Sequence, residues 1–462
     1  MKKMKQLWYA LCLSFGLLPL LHAADLLDVY LQALDNDPKF KAAYSTFMSD
    51  TENISIARAP LLPQVKFSAY DTSNQQDVNA GSFFSISENY TNTQFQVNAT
   101  QALFNYKAWA QVQEAKSAVK ASHALFNDSA QDLILRTAEA YFNVLLTYDT
   151  LRFGIAKKNA NKRQLDQSTQ RFNVGLDAIT SVYDAQAAYD QSIAQVIEAK
   201  NNVMIQSEEL RKITNHTYGR LAPLRNQEIP LMRPEPDNID TWVATGIKQN
   251  YKLFAAKYRL EAAREKIKAQ AAGNWPIVQL QFSDVRRRNE GHSADFANFF
   301  VPKSQRISAA GVGVELPVMQ GGLVLAETKK AKFDYQTASQ ELEEVYRNVV
   351  TNSRTSFGTI NNGIGKVKAD KKTVFTQTES VGSTEAGFFV GTRNMVDVVN
   401  AQENLFQAQK NLASDQYALI GVILKLKYLA GTLNVNDLEE INSWLITERM
   451  NSRPPQLSEL HK

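Results

Sequence analysis

The sequence predicts a mixed α and β chain built from two copies of one unit, each giving a pair of strands and a set of long helices. Three observations predict it. Phe172, Val174, Gly175, Val182, Ala185 and Gln186 are matched by Phe388, Val390, Gly391, Val398, Ala401 and Gln402, each pair 216 positions apart. Short runs alternate apolar with polar residues: Val65, Phe67 and Ala69 against Gln64, Lys66, Ser68 and Tyr70, then Phe95, Val97 and Ala99 against Gln94, Gln96, Asn98 and Thr100. Between Phe104 and Pro223 there is no proline, and Ala, Gln, Lys, Leu and Glu dominate, which favours uninterrupted helix.

The repeat reaches beyond those positions. Pro63, Val65 and Phe67 pair with Pro276, Val278 and Leu280, and Leu103 and Phe104 pair with Val318 and Met319. Two copies of so large a unit indicate duplication and pseudo-symmetry, since a solenoid needs three or more short repeats. The expected organisation is a leader over 1–24, a first repeat over 25–222, a linker over 223–238, a second repeat over 239–434, and a short helix with a tail over 435–462.

Taken in order, Lys2, Lys3 and Lys5 precede the apolar run Leu7–Leu21 and the small residues Ala23 and Ala24, the pattern of a cleaved secretory signal. The single cysteine, Cys12, lies inside it, so the mature chain is expected to have no thiol. A helix is predicted from Asp25 to about Ala59, where Pro60 and Pro63 end it. Two strands of about ten residues follow, with a polar loop between them. A helix from Tyr106 to Arg171 would be about 100 Å long at about 1.5 Å per residue. Gly175 then reads as a tight helix-to-helix turn, because glycine takes positive φ without penalty, and a return helix runs from about Ala178 to Thr214.

The second half repeats this order. It has a helix over Ile239–Ala271, a strand over Pro276–Val285, a loop beginning with Arg286, Arg287 and Arg288, and a strand in which Val312, Val314 and Leu316 alternate with Gly311, Gly313 and Glu315. The long helix Leu323–Gly387 carries Gly358, Gly363 and Gly365, which predicts a softer or bent region at about 1 kcal/mol per Gly. Gly391 makes the turn, the return helix ends at Gly431, a last helix is expected over Asn436–Glu448, and the tail from Asn451 is expected to be disordered.

Charge excludes one partner class. The chain has 51 Lys and Arg and 47 Asp and Glu; without Lys2, Lys3 and Lys5 the balance is 48 to 47, so no nucleic-acid partner is expected. No mature stretch has the length and apolarity of a transmembrane helix, so any membrane role falls to the strands. Their pattern suits either a soluble half-buried hairpin or a wall with lipid outside and water inside. If they do span a bilayer, four strands cannot close a barrel, and copies of the chain have to pool them.

Longer strings carry a resemblance: RQLDQSTQRFNVGLDAIT over Arg163–Thr180, ARAPLLPQ over Ala57–Gln64, TAEAYFNVL over Thr137–Leu145, VGTRNMVDVVNA over Val390–Ala401, and Ala430-Gly431-Thr432-Leu433-Asn434. In these the chain resembles the TolC family of outer-membrane channel-tunnels (outer membrane efflux proteins) of Gram-negative bacteria, over nearly the whole mature length. The resemblance implies a homotrimer with a twelve-stranded β-barrel in the outer membrane, continued by a periplasmic α-helical barrel. It implies export of drugs, small toxic compounds or secreted proteins, a periplasmic adaptor, and an inner-membrane pump of the RND, ABC or MFS class.

It also implies a gate at the two helical turns. Gly175 with Leu176, and Gly391 with Thr392, match the turn positions that meet the adaptor. Asp397 matches a position whose carboxylates ring the narrowest point. Three carboxylates about 6 Å apart repel by roughly 3 kcal/mol per pair at a dielectric near 20, so some protonate or a cation sits between them. Without the resemblance Asp397 reads as a solvated helix carboxylate. The chain departs from the family at Asn400 and Ser181, each in place of an Asp, and at Phe388 in place of a Tyr. Arg393 matches an arginine that bridges neighbouring helices, and its usual acidic partner is missing. The expectation is a less acidic entrance, closed by Arg393 with Asp177 or Asp184, Gln170 and Thr180.

An enzyme is not expected. His123, His216 and His292 show no ligand spacing, no Gly-rich loop joins a strand to a helix, and no cofactor or structural metal is implied. The alternative from another class is a periplasmic coiled-coil scaffold or adaptor without a pore.

Overall fold

The computed structural model describes residues 23–79, 85–225, 228–290 and 303–446. In chain order these form α1 (Leu26–Asn36), α2 (Pro38–Arg58), β1 (Gln64–Asn79), β2 (Ser85–Phe104), α3 (Tyr106–Asn173), α4 (Ile179–Thr214), α5 (Ile239–Gln249), α6 (Tyr251–Ala271), β3 (Ile277–Glu290), β4 (Ser304–Glu315), α7 (Leu323–Phe389), α8 (Met395–Ala430) and α9 (Val435–Asn442). The long helices α3 and α7 have 68 and 67 residues. Contacts divide the chain into two compact units, one of Met1–Ala42, Asp128–Asn250 and Asn348–Lys462, the other of Ala43–Asn127 and Tyr251–Arg347. Each unit therefore draws on both repeats.

Three of the expected helices need correction. The helix predicted over Asp25–Ala59 is broken at Asp37 (φ −62°, ψ 116°), because Pro38 excludes the α conformation for the residue before it. The helix predicted over Ile239–Ala271 is broken at Asn250 (φ −64°, ψ 123°) with no proline present. There the Asn250 side-chain amide donates to the Leu429 carbonyl at 3.0 Å, a contact no local pattern reveals. The glycines of α7 do not interrupt it. The last helix stops at Asn442. At the start of the expected linker, Leu224 bridges Leu445, Arg225 N–H donates to the Trp444 carbonyl at 2.8 Å, and Ile446 N–H donates to the Pro223 carbonyl at 2.9 Å. The leader up to residue 22 and the tail from Asn451 lie outside the described residues.

The helical unit has an apolar core that includes Leu26, Val29, Tyr30, Leu133, Ile134, Tyr141, Phe142, Ile420 and Leu424. The start of α1 meets the end of α9. Asp25 caps α1 by accepting from Asp28 N–H at 2.8 Å, and it also accepts from the Asn442 side chain at 3.1 Å. Tyr141 donates to the Ala222 carbonyl at 2.7 Å.

In the other unit the strands form one antiparallel sheet in the order β1-β2-β3-β4. They run to 16, 20, 14 and 12 residues, so much of the expected polar loop is strand, and Arg286, Arg287 and Arg288 lie inside β3 opposite Phe95, Gln94 and Thr93. The register sets one face apolar. Val65, Phe67 and Ala69 align with Ala99, Val97 and Phe95, and that face continues through Leu280 and Phe282 to Val312 and Ala310. The opposite face carries Gln64, Lys66, Ser68, Gln94, Gln96, Asn98, Gln279, Gln281 and Ser283. Amides hydrogen-bond along it, Gln94 to Gln96 at 3.1 Å and Gln96 to Asn98 at 2.9 Å. Toward the β3–β4 loop the apolar face turns charged, where Asp284 accepts from Arg306 at 2.9 Å and Ser308 at 2.6 Å. Among the described residues, β1 and β4 each keep one edge unpaired.

Candidate functional site

Both helical turns are built the same way. After α3, Leu176 N–H donates to the Arg171 carbonyl and Gly175 N–H to the Phe172 carbonyl, each at 2.9 Å. After α7, Thr392 N–H donates to the Gly387 carbonyl at 2.9 Å and Gly391 N–H to the Phe388 carbonyl at 3.1 Å. This is the Schellman pair, which requires a left-handed residue just past the helix, and Gly175 and Gly391 supply it at φ 75° and 79°. Nothing lies within 4 Å of either glycine's missing Cβ, so both turns present open backbone to a visiting surface. Leu176 is exposed beside one of them, and the Thr392 hydroxyl donates to Gly387 at 3.1 Å beside the other.

Behind the turns, α7 and α8 press against α3 and α4. Phe388, Met395, Val398 and Ala185 form a buried cluster, with Leu165 and Val399 partly buried against it. Phe388 is 4% exposed. The Arg171 guanidinium sits 5.2 Å from the centre of its ring. That same guanidinium grips Asp177 with Nε and Nη2 at 2.8 and 3.3 Å.

Asp177 is held by Arg171 across its own turn, while the Arg393 side chain forms no ion pair among the described residues. Arg393 instead lies over Gly387, where an added Cβ would come within 2.8 Å of its Cγ. Gln170, Thr180 and Asp184 are exposed, and Ser181 is half-buried; none forms a side-chain hydrogen bond among the described residues. Asn400 is also exposed, one turn beyond Asp397.

Asp397 has a local task. Its carboxylate accepts from Asn394 N–H at 3.2 Å while its own N–H donates to the Asn394 side chain at 2.9 Å, a capping box that starts α8. One carboxylate oxygen is left without a hydrogen bond among the described residues, so the cap and a cation-facing role are compatible. The spacing Asn394-x-x-Asp397 announces the cap in the sequence. By contrast, no pattern announces Lys157, whose buried ammonium joins three helices. It donates to Gln195 of α4 at 2.8 Å, pairs with Glu403 of α8, and lies 5.1 Å from the Phe406 ring centre.

Farther along the same helices, Lys366 donates to Asp415 at 2.9 Å, joining α7 to α8. Asp370 lies beside this pair, and burial together with the neighbouring Asp415 carboxylate pushes it up to about 6. No group of three or more His, Cys, Asp or Glu side chains able to hold a metal occurs among the described residues.

The family model described as "Outer membrane efflux protein" matches residues 29–216 and 243–432. Outer membrane protein TolC of Escherichia coli (strain K12) is 35% identical over 451 residues, spanning 96% of this chain and 90% of that protein. Proteases secretion protein PrtF of Dickeya chrysanthemi is 25% identical over 429 residues, spanning 91% of each. The crystal structure of the Campylobacter jejuni CmeC outer membrane channel shares the fold, with a TM-score of 0.75 at 16% identity over 91% of this chain and 89% of that one.

Proposed function

The chain belongs to the outer membrane efflux protein family, and from that premise we infer how it works as an exit duct of the outer membrane for efflux and type I secretion. One observation carries the reading. The sheet turns a row of apolar side chains outward, with Val65, Phe67, Phe95, Leu280, Phe282, Val312 and Val314 between 43% and 72% exposed, while amides line its other face. Such a sheet suits lipid on one side and water on the other. In lipid an unpaired strand edge costs several kcal/mol per backbone group, so the free edges of β1 and β4 have to meet those of further copies. Three copies give a twelve-stranded barrel, and their long helices continue it as a periplasmic tube.

In this reading an adaptor docks at Gly175 and Leu176 and at Gly391 and Thr392, linking the duct to an inner-membrane pump of the RND, ABC or MFS class. Open turn backbone and positive-φ glycines support that placement. The same turns form the gate, with Asp397 ringing the passage. An apolar cluster around Phe388 supports closure, and Arg171 grips Asp177 within one chain.

The test is recovery and conductance. The purified protein should come from the outer-membrane fraction as a heat-modifiable trimer and conduct ions in a planar bilayer. A monomer recovered only from the soluble periplasm would refute the duct and favour a scaffold.

A further inference from the structure

We propose that Arg287 is an anion-attracting site on the water side of the sheet, drawing small anions and the anionic groups of passing solutes into the barrel. The site rests on the duct reading above and gives the duct a selectivity that the reading does not contain. A run of three arginines is sorted by the period of the strand. Strand β3 sets Arg286 opposite Phe95 and Arg288 opposite Thr93, on the face that bears the apolar row, and Arg287 opposite Gln94, on the face lined by amides. The two outward arginines are neutralised. Arg286 pairs with Asp284 at 3.5 Å and Arg288 with Glu290 at 2.7 Å, and Arg306 on β4 also pairs with Asp284, at 2.9 Å. The inward arginine is not. Arg287 Nε donates to Gln94 Oε1 at 2.8 Å, which joins it to the ladder of Gln94, Gln96 and Asn98, and it forms no ion pair among the described residues.

The sorting follows from what lies on each side. A charge beside the apolar band is costly unless a carboxylate answers it, whereas a charge facing a water-filled lumen can stand unpaired and act on what passes. Two other charges occur on the amide-lined face of the strands among the described side chains. Lys66, opposite Asn98, is exposed and forms no ion pair among the described residues, so it adds to the same sign. Glu315 has the opposite sign but stands opposite Ile277, ten positions along β4 from Gln305, the residue that faces Arg287. At about 3.3 Å per residue that is about 33 Å, several times the Debye length of about 10 Å at about 0.1 M salt. The level of Arg287 is therefore net positive. With three copies of the chain, three guanidiniums share one level of the lumen, and a ring of that sign is how a pore favours anions.

The test is the reversal potential of purified channels in planar bilayers under a gradient of potassium chloride, for the parent, Arg287→Gln, Arg287→Glu, Arg287→Lys, and Arg286→Gln as an outward-facing control. Parent conductance is scored first, so failure of the duct reading is seen separately from failure of the site. Removing three unit charges that stand roughly one Debye length from the axis should raise the potassium-over-chloride permeability ratio by about threefold at about 0.1 M salt, and Arg287→Glu should raise it by about tenfold. Arg287→Lys keeps the charge and should stay within about 1.5-fold of the parent, as should the control. At about 1 M salt the Debye length falls to about 3 Å, and the Arg287→Gln shift should vanish. Arg287 is exposed, so Arg287→Gln leaves the strand its polar side chain on the water side and tests charge rather than assembly. A parental ratio in Arg287→Gln, an Arg287→Glu shift no larger than that of Arg287→Gln, a shift that persists at high salt, or an equal shift in the control would each overturn the site.

Discussion

Replacing Gly431 by alanine should cost the protein far more than replacing Gly391, although the two share almost the same backbone conformation, at φ 72° and 79°. A left-handed conformation costs an L-residue roughly 1–2 kcal/mol at either site. At Gly391 nothing lies within 4 Å of the new methyl. At Gly431 the methyl would sit 2.3 Å from the Gln249 carbonyl oxygen, 2.6 Å from its carbon and 3.0 Å from Asn250 N. Those atoms are backbone and have no rotamer to escape into, so relief means moving the α5–α6 break and adds roughly 1–3 kcal/mol. The difference between the variants is then about 2 kcal/mol, about a 30-fold change in local opening. Native-state hydrogen exchange reads it at the Thr432 and Leu433 amides, both bonded to the Lys427 carbonyl, and at the Thr392 amide, bonded to Gly387. Equal losses of protection at the two turns would refute the reasoning. Asn215 occupies the place of Gly431 in the first repeat at φ 51°, and Asn215→Gly should be neutral or stabilising.

Four other outcomes follow from the geometry. Phe388→Ala should empty the entrance cluster and destabilise the seating of α8 on α3 and α4 by about 3–5 kcal/mol, read as faster exchange near Met395 and raised basal conductance. Asp397→Ala should lose most block by trivalent cations in planar bilayers and fray the first turn of α8 by about 1 kcal/mol; undiminished block would remove Asp397 from the ring. Asp370 is held near 6, above its ordinary value, so the folded chain binds a proton the unfolded chain releases. Stability of the α7–α8 contact is therefore present at low pH and lost as pH rises through about 6, and Asp370→Asn should abolish that slope in pH-dependent melts. Arg136 donates to Asp37 at 2.5 Å and Asp132 at 2.7 Å, and the Asp37 side chain is 4% exposed, so Arg136→Met should cost about 3–5 kcal/mol in urea unfolding.

The duplication was readable because turn chemistry is local. Gly175 and Gly391 stand 216 positions apart, and both close the same pair of hydrogen bonds. The facing of the sheet was readable for a similar reason, since a period of two tells which side chains share a side. What escaped depends on distant partners. Asn250 breaks a helix to reach Leu429, and nothing near it signals the break. Arg286 to Arg288 looked like a loop because three charges interrupt the alternation, yet β2 offers partners that keep the strand going. Lys157 resembled any other lysine on a helix, and only the convergence of α3, α4 and α8 gives it a role. At Asp397 the resemblance points to the gate, while Asn394 three residues back makes the same carboxylate part of a capping box.

Strand β2 ends at Phe104 and its neighbour β3 begins at Ile277, so a newly delivered chain holds one flank of β2 bare while some hundred and seventy residues follow. A bare strand flank is a template for wrong pairing. A chain cut short before Ile277 should therefore aggregate rather than survive as half a duct.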